Sequence, residues 1–77
     1  MSVEEDVKTI LLDILDVDDK DLGPATHIRK DLGASSVDMV EILAALEGDF
    51  DIEIPDEDAE NLLTLQTIID YVTEKTA

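Results

Sequence analysis

The sequence predicts an all-α protein, a compact antiparallel bundle of four helices in which three helices are long and one is short. Apolar residues recur every three to four positions in three segments, which is the period of an α-helix with one buried face. A serine or threonine stands before each of these segments, where its side chain can cap the first turn. Because the chain has 77 residues, we expect a single domain with a small core.

The first helix is expected to begin after Ser2 and to end near Asp16. The residues on its apolar face are Val3, Val7, Ile10, Leu11 and Ile14. Residues 17–34 hold two glycines and a proline, so we expect them to form one long loop. Such a long loop is unusual in a compact domain and needs anchors in the core. Its apolar candidates are Leu22, Ile28 and Leu32.

The second helix is predicted from about Ser36 to Phe50. The apolar residues that should face the core are Met39, Ile42, Leu43, Leu46 and Phe50. Ser35 and Asp38 have the spacing of a capping box, in which each side chain accepts a hydrogen bond from the other residue's backbone N–H. If Ser35 caps the helix, Ser36 is the first helical residue. Its hydroxyl then projects into solvent at the positive end of the helix dipole, which favours a phosphate.

The remainder of the chain predicts two further helices. Residues 52–54 alternate isoleucine with an acid before Pro55, which indicates a short extended link. Asp56 should cap a short third helix that ends near Leu62. Thr64 should cap the last helix. The apolar face of that helix consists of Leu65, Ile68, Ile69 and Val72.

The charge of the chain points to the kind of partner that it meets. There are 5 Lys and Arg against 21 Asp and Glu, so the formal net charge is −16. This excess repels nucleic acid and anionic membranes and favours basic protein partners. The sequence has no cysteine, no signal-peptide pattern after Met1 and no apolar run of membrane-spanning length. We therefore expect a cytoplasmic monomer without membrane insertion.

The outer face of the second helix carries a narrow apolar row flanked by acids. We call this surface the docking strip, and it comprises Val37, Asp38, Val40, Glu41, Ala44 and Glu47. One interpretation is an ordinary solvated face with a few tolerated aliphatic residues. The other is a landing surface for a basic, partly apolar partner. The proximity of Ser36 favours the second interpretation.

Neither catalysis nor a metal site is predicted. A nucleophilic serine needs a positioned base, and His27, the single histidine, lies in the long loop. No Gly-x-Ser-x-Gly elbow surrounds Ser36. Residues 49–60 resemble an EF-hand loop, but Ile54 stands where that loop needs glycine. We expect a protein that is not an enzyme and that has no specific metal site.

Many residues in register resemble acyl carrier proteins, in particular the free-standing bacterial type that serves fatty acid synthesis. The matching positions are 31–34, Ser36, Asp38, 40–41, 45–47, Phe50, 53–57, 59–60 and 69–71. The resemblance covers essentially the whole chain. It implies a phosphoprotein in which the serine of an Asp-Ser-Leu motif, here Ser36, carries 4′-phosphopantetheine. The thiol of this arm would hold acyl groups as thioesters.

The resemblance also implies partners and a cavity. The partners would be enzymes with basic patches: a phosphopantetheinyl transferase, acyltransferases and ketoacyl synthases. The residues that would line an acyl cavity are Ile28, Leu43, Leu46, Ile54, Ala59, Leu62 and Ile68. Without the resemblance, those same residues are simply core.

One departure from the family pattern stands beside the expected site. Asp-Ser-Leu appears here as Ser35-Ser36-Val37, so Ser35 replaces the acid that helps a basic transferase grip the carrier. Together with the smaller Val37, Ile28 in place of an aromatic residue, and the bulk of Leu62 and Ile68, this change suggests a specialised carrier for a dedicated pathway. Two alternatives remain open, an unmodified carrier-like module for interaction or regulation and an acidic calcium-binding module.

Overall fold

The helices predicted from the periodicity are present in the computed structural model, which describes residues 2–77. The four α-helices are α1 (Val3–Ile14), α2 (Ser36–Phe50), α3 (Asp56–Ala59) and α4 (Leu65–Thr76). A short 3-10 helix, Asp19–Asp21, lies between α1 and α2. Over the described residues there is no β-strand, and His27 and Thr64 form an isolated β-bridge. The prediction of an all-α helical bundle is confirmed.

Helix α1 begins as predicted but ends earlier. The Ser2 hydroxyl accepts a hydrogen bond from the Glu5 N–H at 3.1 Å, so Ser2 is the cap. The helix stops at Ile14, short of the predicted end near Asp16. Leu15 adopts an extended backbone and is buried in the core. The backbone therefore leaves the helical conformation at Leu15, and the side chain of this residue enters the core.

The long loop between α1 and α2 contacts the core through all three residues that the sequence predicts as anchors. Leu22 and Ile28 lie in the core, whereas Leu32 is only partly buried. The loop is also tied to the segment before α4, because the Ile28 N–H donates to the Leu63 carbonyl at 2.8 Å. These contacts hold the loop against the bundle, so it is far from structureless.

The core face of α2 is narrower than the apolar stripe predicted. Ile42 and Leu46 are fully buried, at 0% exposure each. The other three members of the predicted stripe, Met39, Leu43 and Phe50, are partly buried against the core. They lie at the edges of the face that α2 packs against α1.

Helix α3 is shorter than predicted, and its cap is one residue earlier in the chain. Pro55 occupies the cap position, and Asp56 is the first helical residue. The helix ends at Ala59, where the prediction extended it to about Leu62. The chain continues through tighter turns, in which the Leu62 N–H donates to the Ala59 carbonyl at 3.1 Å. This tightening directs Leu62 into the core.

Helix α4 begins where the sequence predicts, and one of its side chains fastens α3 to it. The Thr64 hydroxyl accepts from the Thr67 N–H at 3.2 Å. The Tyr71 hydroxyl donates to Asp58 Oδ2 at 2.8 Å, across the space between α4 and α3. Burial of the ring and this bond to a carboxylate raise the pKa of Tyr71 to about 12.

The core is entirely apolar over residues 2–77 and is centred on α1, which packs against both α2 and α4. Its buried members are Val7, Ile10, Leu11, Leu15, Leu22, Ile28, Ala34, Ile42, Leu46, Ile54, Leu62, Leu65, Ile68, Ile69 and Val72. The radius of gyration is 11.2 Å, close to the ~11.5 Å that a compact chain of this length has. In the described part of the chain, no helix combines the length and apolar character needed to cross a membrane.

Candidate functional site

The candidate site lies at the beginning of α2, where two adjacent serines have different roles. The Ser35 hydroxyl accepts from the Asp38 N–H at 3.1 Å, and Asp38 Oδ2 accepts from the Ser35 N–H at 3.0 Å. This is the predicted capping box, and it is confirmed. The Ser35 side chain is therefore engaged in closing the helix, whereas Ser36 is the first helical residue and is exposed.

The surroundings of Ser36 favour a negatively charged group. The first N–H groups of a helix have no partner within the helix, and they make this end partially positive. A cation adds to this effect, because Arg29 Nη2 donates to Ser36 Oγ at 3.4 Å. Arg29 is a site residue that the sequence does not predict. The contact spans the loop, and no local pattern signals it.

Ser36 is not arranged as a nucleophile that the protein itself activates. Its side-chain partner is a guanidinium, which cannot accept a proton. The imidazole of His27 is engaged within the loop, where Nδ1 accepts from the Lys30 N–H at 3.0 Å. The His27 backbone N–H donates to Asp31 Oδ2 at 2.8 Å. The hydroxyl of Ser36 is thus available to solvent but is not activated.

The docking strip has an apolar part that faces solvent. Val37 and Val40 are each 67% exposed, the largest exposures among the bulky apolar side chains of the described residues. Ala44 and Glu41 are exposed as well. An aliphatic pair on one helix face, next to Ser36, is therefore open to a partner.

Two of the three acids of the docking strip have structural tasks. Asp38 closes the capping box, and Glu47 Oε2 accepts from the Ile54 N–H at 3.1 Å, which holds the link after α2. Both side chains are only partly exposed. Glu41 makes no hydrogen bond or ion pair within residues 2–77, so it is the acid of the strip that has no structural task.

The residues predicted for an acyl cavity lie together but are mostly closed off. Five of them are buried in one core cluster: Ile28, Leu46, Ile54, Leu62 and Ile68. Leu43 and Ala59 are partly buried and line a surface groove of about 310 Å³. The remaining residues of this groove are Arg29, Met39, Asp56, Glu60 and Leu63. The groove is not predictable from helical spacing, because that spacing places Met39 on the core face and Leu63 lies outside every helix.

Metal-ligating side chains do not converge in the described part of the chain. Over residues 2–77, there is no group of three or more His, Cys, Asp or Glu side chains that could hold a metal ion. In the segment predicted to resemble an EF-hand, Asp51 ends α2 in a left-handed conformation with φ 54°.

A family model described as a phosphopantetheine attachment site matches residues 5–72, which span the chain from within α1 to within α4. Members of this family bind 4′-phosphopantetheine and act as non-catalytic carriers that interact with enzymes and acyl chains. An exposed hydroxyl at a helix start, beside a guanidinium, fits the phosphodiester of such an arm. The chain therefore belongs to the family of phosphopantetheine-carrying carrier domains.

Proposed function

We propose that this protein holds acyl intermediates as thioesters on a 4′-phosphopantetheine arm attached to Ser36. It would deliver them to enzymes of fatty acid biosynthesis or of a related acyl or polyketide pathway. The observation that carries this proposal is the position of Ser36, an exposed hydroxyl at the start of α2 in a chain whose family carries this arm. The thiol of the arm supplies the thioester chemistry that a chain without cysteine lacks.

The loading step attaches the arm through an ester bond. The Ser36 hydroxyl gives up its proton, and Ser36 Oγ forms a bond to the phosphorus of the arm. The adenosine bisphosphate part of coenzyme A leaves with the electrons of the broken phosphorus–oxygen bond. Because no base contacts Ser36 in the described residues, a separate transferase that uses Mg²⁺ has to remove the proton.

Ser36 is favoured over Ser35 because of their different hydrogen bonds. The Ser35 oxygen accepts from the Asp38 N–H, and an ester at that oxygen would crowd the capping box. Ser36 is exposed to solvent, and among the described residues its side chain hydrogen-bonds only with Arg29.

The docking strip supports the part of the proposal that concerns delivery. Val37 and Val40 would give the apolar contact, and Glu41 would meet Arg or Lys side chains of the partner. The charge of −16 attracts basic surfaces over a distance set by the ionic strength. Encounters of this type are fast and salt-sensitive, which suits a shuttle that must leave each enzyme.

The groove beside α2 and α3 supports a way to shelter the acyl chain. Leu43 and Ala59 line the groove and also pack against the core cluster that holds the other predicted cavity residues. A small outward movement of the short helix α3 would connect the groove to that core. Helix α3 is held by few contacts, of which the Tyr71–Asp58 hydrogen bond is one.

Intact mass measurement tests the site. The natural chain, Ser36→Ala and Ser35→Ala are each incubated with coenzyme A and a transferase of broad specificity. The natural chain and Ser35→Ala should gain one phosphopantetheine, whereas Ser36→Ala should gain none. An addition that survives in Ser36→Ala, or a natural chain that stays unmodified, would reject the proposed site.

A charge reversal tests the docking strip. Glu41→Lys should weaken the binding of the loaded carrier to a partner enzyme and reduce the dependence of binding on salt. Asp13→Lys is the matched control, because Asp13 is also exposed but belongs to α1 and not to the strip. If the two variants weaken binding equally, net charge rather than the docking strip determines the affinity.

Ser35 stands where the resemblance implies an acid. This departure supports a second candidate function, a carrier-like module that is not modified and that acts through interactions alone. A protein of this kind would have its unmodified mass when it is purified from its own host. The calcium-binding alternative has no cluster of ligands in residues 2–77 to support it.

A further inference from the structure

We propose that Arg29 is an internal counter-ion for the arm: its guanidinium pairs with the phosphodiester on Ser36 and fixes the base of the arm against the loop. This inference rests on the proposed attachment at Ser36. It adds a positioning residue that lies outside the attachment motif.

The guanidinium of Arg29 already lies within hydrogen-bonding distance of the serine oxygen. Arg29 Nη2 lies 3.4 Å from Ser36 Oγ, the atom through which the arm would be joined. The phosphorus would be one covalent bond from that oxygen, so the non-bridging phosphate oxygens would lie within reach of the same guanidinium. The planar fork of arginine can donate two parallel hydrogen bonds to a phosphate.

Within residues 2–77 Arg29 has no carboxylate partner, although acids outnumber bases about fourfold in this chain. Among residues 2–77 one ion pair is present, between Lys20 and Asp18 at 4.0 Å. Arg29 is exposed on the loop, and its hydrogen bond goes to an uncharged serine. The chain has 21 acids, yet this cation lies beside a neutral hydroxyl. It is therefore positioned to bind an anionic group that is attached to that hydroxyl.

The residue before Ser36 strengthens this interpretation. Ser35 is neutral, so no carboxylate at that position competes with the phosphate for Arg29 or repels it. The nearest acid along the helix, Asp38, accepts the Ser35 N–H in the capping box. The start of α2 therefore presents backbone N–H groups and one guanidinium to the arm.

A pairing of this kind would also set the direction in which the arm leaves Ser36. Arg29 lines the groove beside Met39 and Leu43 and is its one cation, whereas the acids Asp56 and Glu60 lie in the same lining. With its phosphodiester held by Arg29, the base of the arm would lie at the mouth of that groove. The thiol end would remain free to reach partner enzymes.

Nuclear magnetic resonance of the loaded protein tests the pairing directly, because Arg29 is the sole arginine and the arm would carry the sole phosphorus. The samples are the natural chain, Arg29→Gln and Lys30→Gln, each checked by mass for one arm on Ser36. Lys30 is the matched control, because it is the adjacent exposed cation. The phosphorus resonance should shift in Arg29→Gln and stay unchanged in Lys30→Gln.

A second measurement needs no variant of Arg29. The Nε–H resonance of Arg29 should shift when the natural chain is loaded, and it should not shift when Ser36→Ala is treated in the same way. The pairing would be overturned, with the attachment intact, by either of two results. One is the same phosphorus resonance in the natural chain and in Arg29→Gln, and the other is an Nε–H resonance that does not shift on loading. Failure of the natural chain to gain mass would overturn the attachment and the pairing together.

Discussion

The inner and outer faces of α2 use the same kind of side chain for different purposes. On the inner face Ile42 and Leu46 are completely buried against α1, whereas on the outer face Val37 and Val40 are each 67% exposed. Burial of an aliphatic side chain stabilises a fold by roughly 1.5–3 kcal/mol, and the outer pair contributes almost none of this. An exposed aliphatic pair that does not stabilise the fold is available for a partner.

The same contrast separates the two serines at the start of the helix. Ser35 is fixed by two hydrogen bonds with Asp38, and Ser36 is left in solvent next to Arg29. The structural role of Ser35 and the proposed role of Ser36 thus belong to adjacent residues. Substitution of a buried or capping residue should lower stability, whereas substitution of an exposed residue near Ser36 should affect loading or partner binding.

The largest effect should come from the inner face. Ile42→Ala should lower the free energy of unfolding by about 2–5 kcal/mol, because it leaves a cavity in the core. In so small a domain, this loss should unfold much of the protein. Val40→Ala, the matched change on the outer face, should alter stability by less than about 0.5 kcal/mol. Urea unfolding followed by circular dichroism measures both, and equal losses would contradict the division between the faces.

A smaller effect should appear where α3 is fastened to α4. Tyr71→Phe removes the 2.8 Å hydrogen bond to Asp58 and should lower stability by about 1–2 kcal/mol near neutral pH. Urea unfolding of this variant beside the natural chain measures how much the bond between α4 and α3 contributes to stability, and equal stabilities would contradict that role.

The same residue gives a pH dependence with a defined sign. Burial and the Asp58 carboxylate raise the pKa of Tyr71 from 10.0 to about 12, so the folded state favours the protonated phenol. The stability that this protonated phenol contributes is fully present below pH 10 and is lost as the pH rises to about 12. Tyr71 is the sole tyrosine and there is no tryptophan, so tyrosinate absorbance reports its titration directly. Tyr71→Phe should lack this part of the alkaline loss, and an ordinary titration near pH 10 would contradict the bond.

Of the two serines, only Ser35 should affect stability when it is replaced, by about 1 kcal/mol. Ser35→Ala removes the cap of α2 and should lower stability by about that amount, with loading of the chain retained. Ser36→Ala should leave stability nearly unchanged and abolish loading. Thermal unfolding and intact mass, measured on the same two variants, separate the roles. A stable Ser35→Ala protein that cannot be loaded would reverse our assignment.

The smallest effect concerns the far end of α2. Asp51 has a left-handed backbone with φ 54°, a conformation that glycine adopts at lower cost. Asp51→Gly should raise stability by about 0.5 kcal/mol. Gly33→Ala is the opposite control, because Gly33 has φ 73° with open space around it, and the change should destabilise. Thermal unfolding of the two variants should shift in opposite directions, and a shared direction would contradict this account.

The features that the sequence predicts well are those that depend on neighbouring residues. The capping box of Ser35 and Asp38, the start of α4 at Thr64 and the burial of Ile42 follow from spacing within one helix. The helix ends are less well predicted. Where α1 stops is decided by the burial of Leu15, which periodicity alone does not reveal.

Contacts between distant segments could not be predicted. The link from Ile28 to Leu63 and the approach of Arg29 to Ser36 depend on how the loop folds over the bundle. The role of Glu47 in holding the Ile54 N–H is hidden in the same way, because its sequence position suggests only an exposed acid. The candidate serine could be predicted from the sequence, whereas its charged neighbour required the structure.

Peptide mapping by tandem mass spectrometry, on protein purified from its own host, tests the central claim most directly. The account predicts one phosphopantetheine whose fragment ions place it on Ser36, with Ser35 unmodified. An arm on Ser35, or a chain from the host that carries no arm at all, would contradict it.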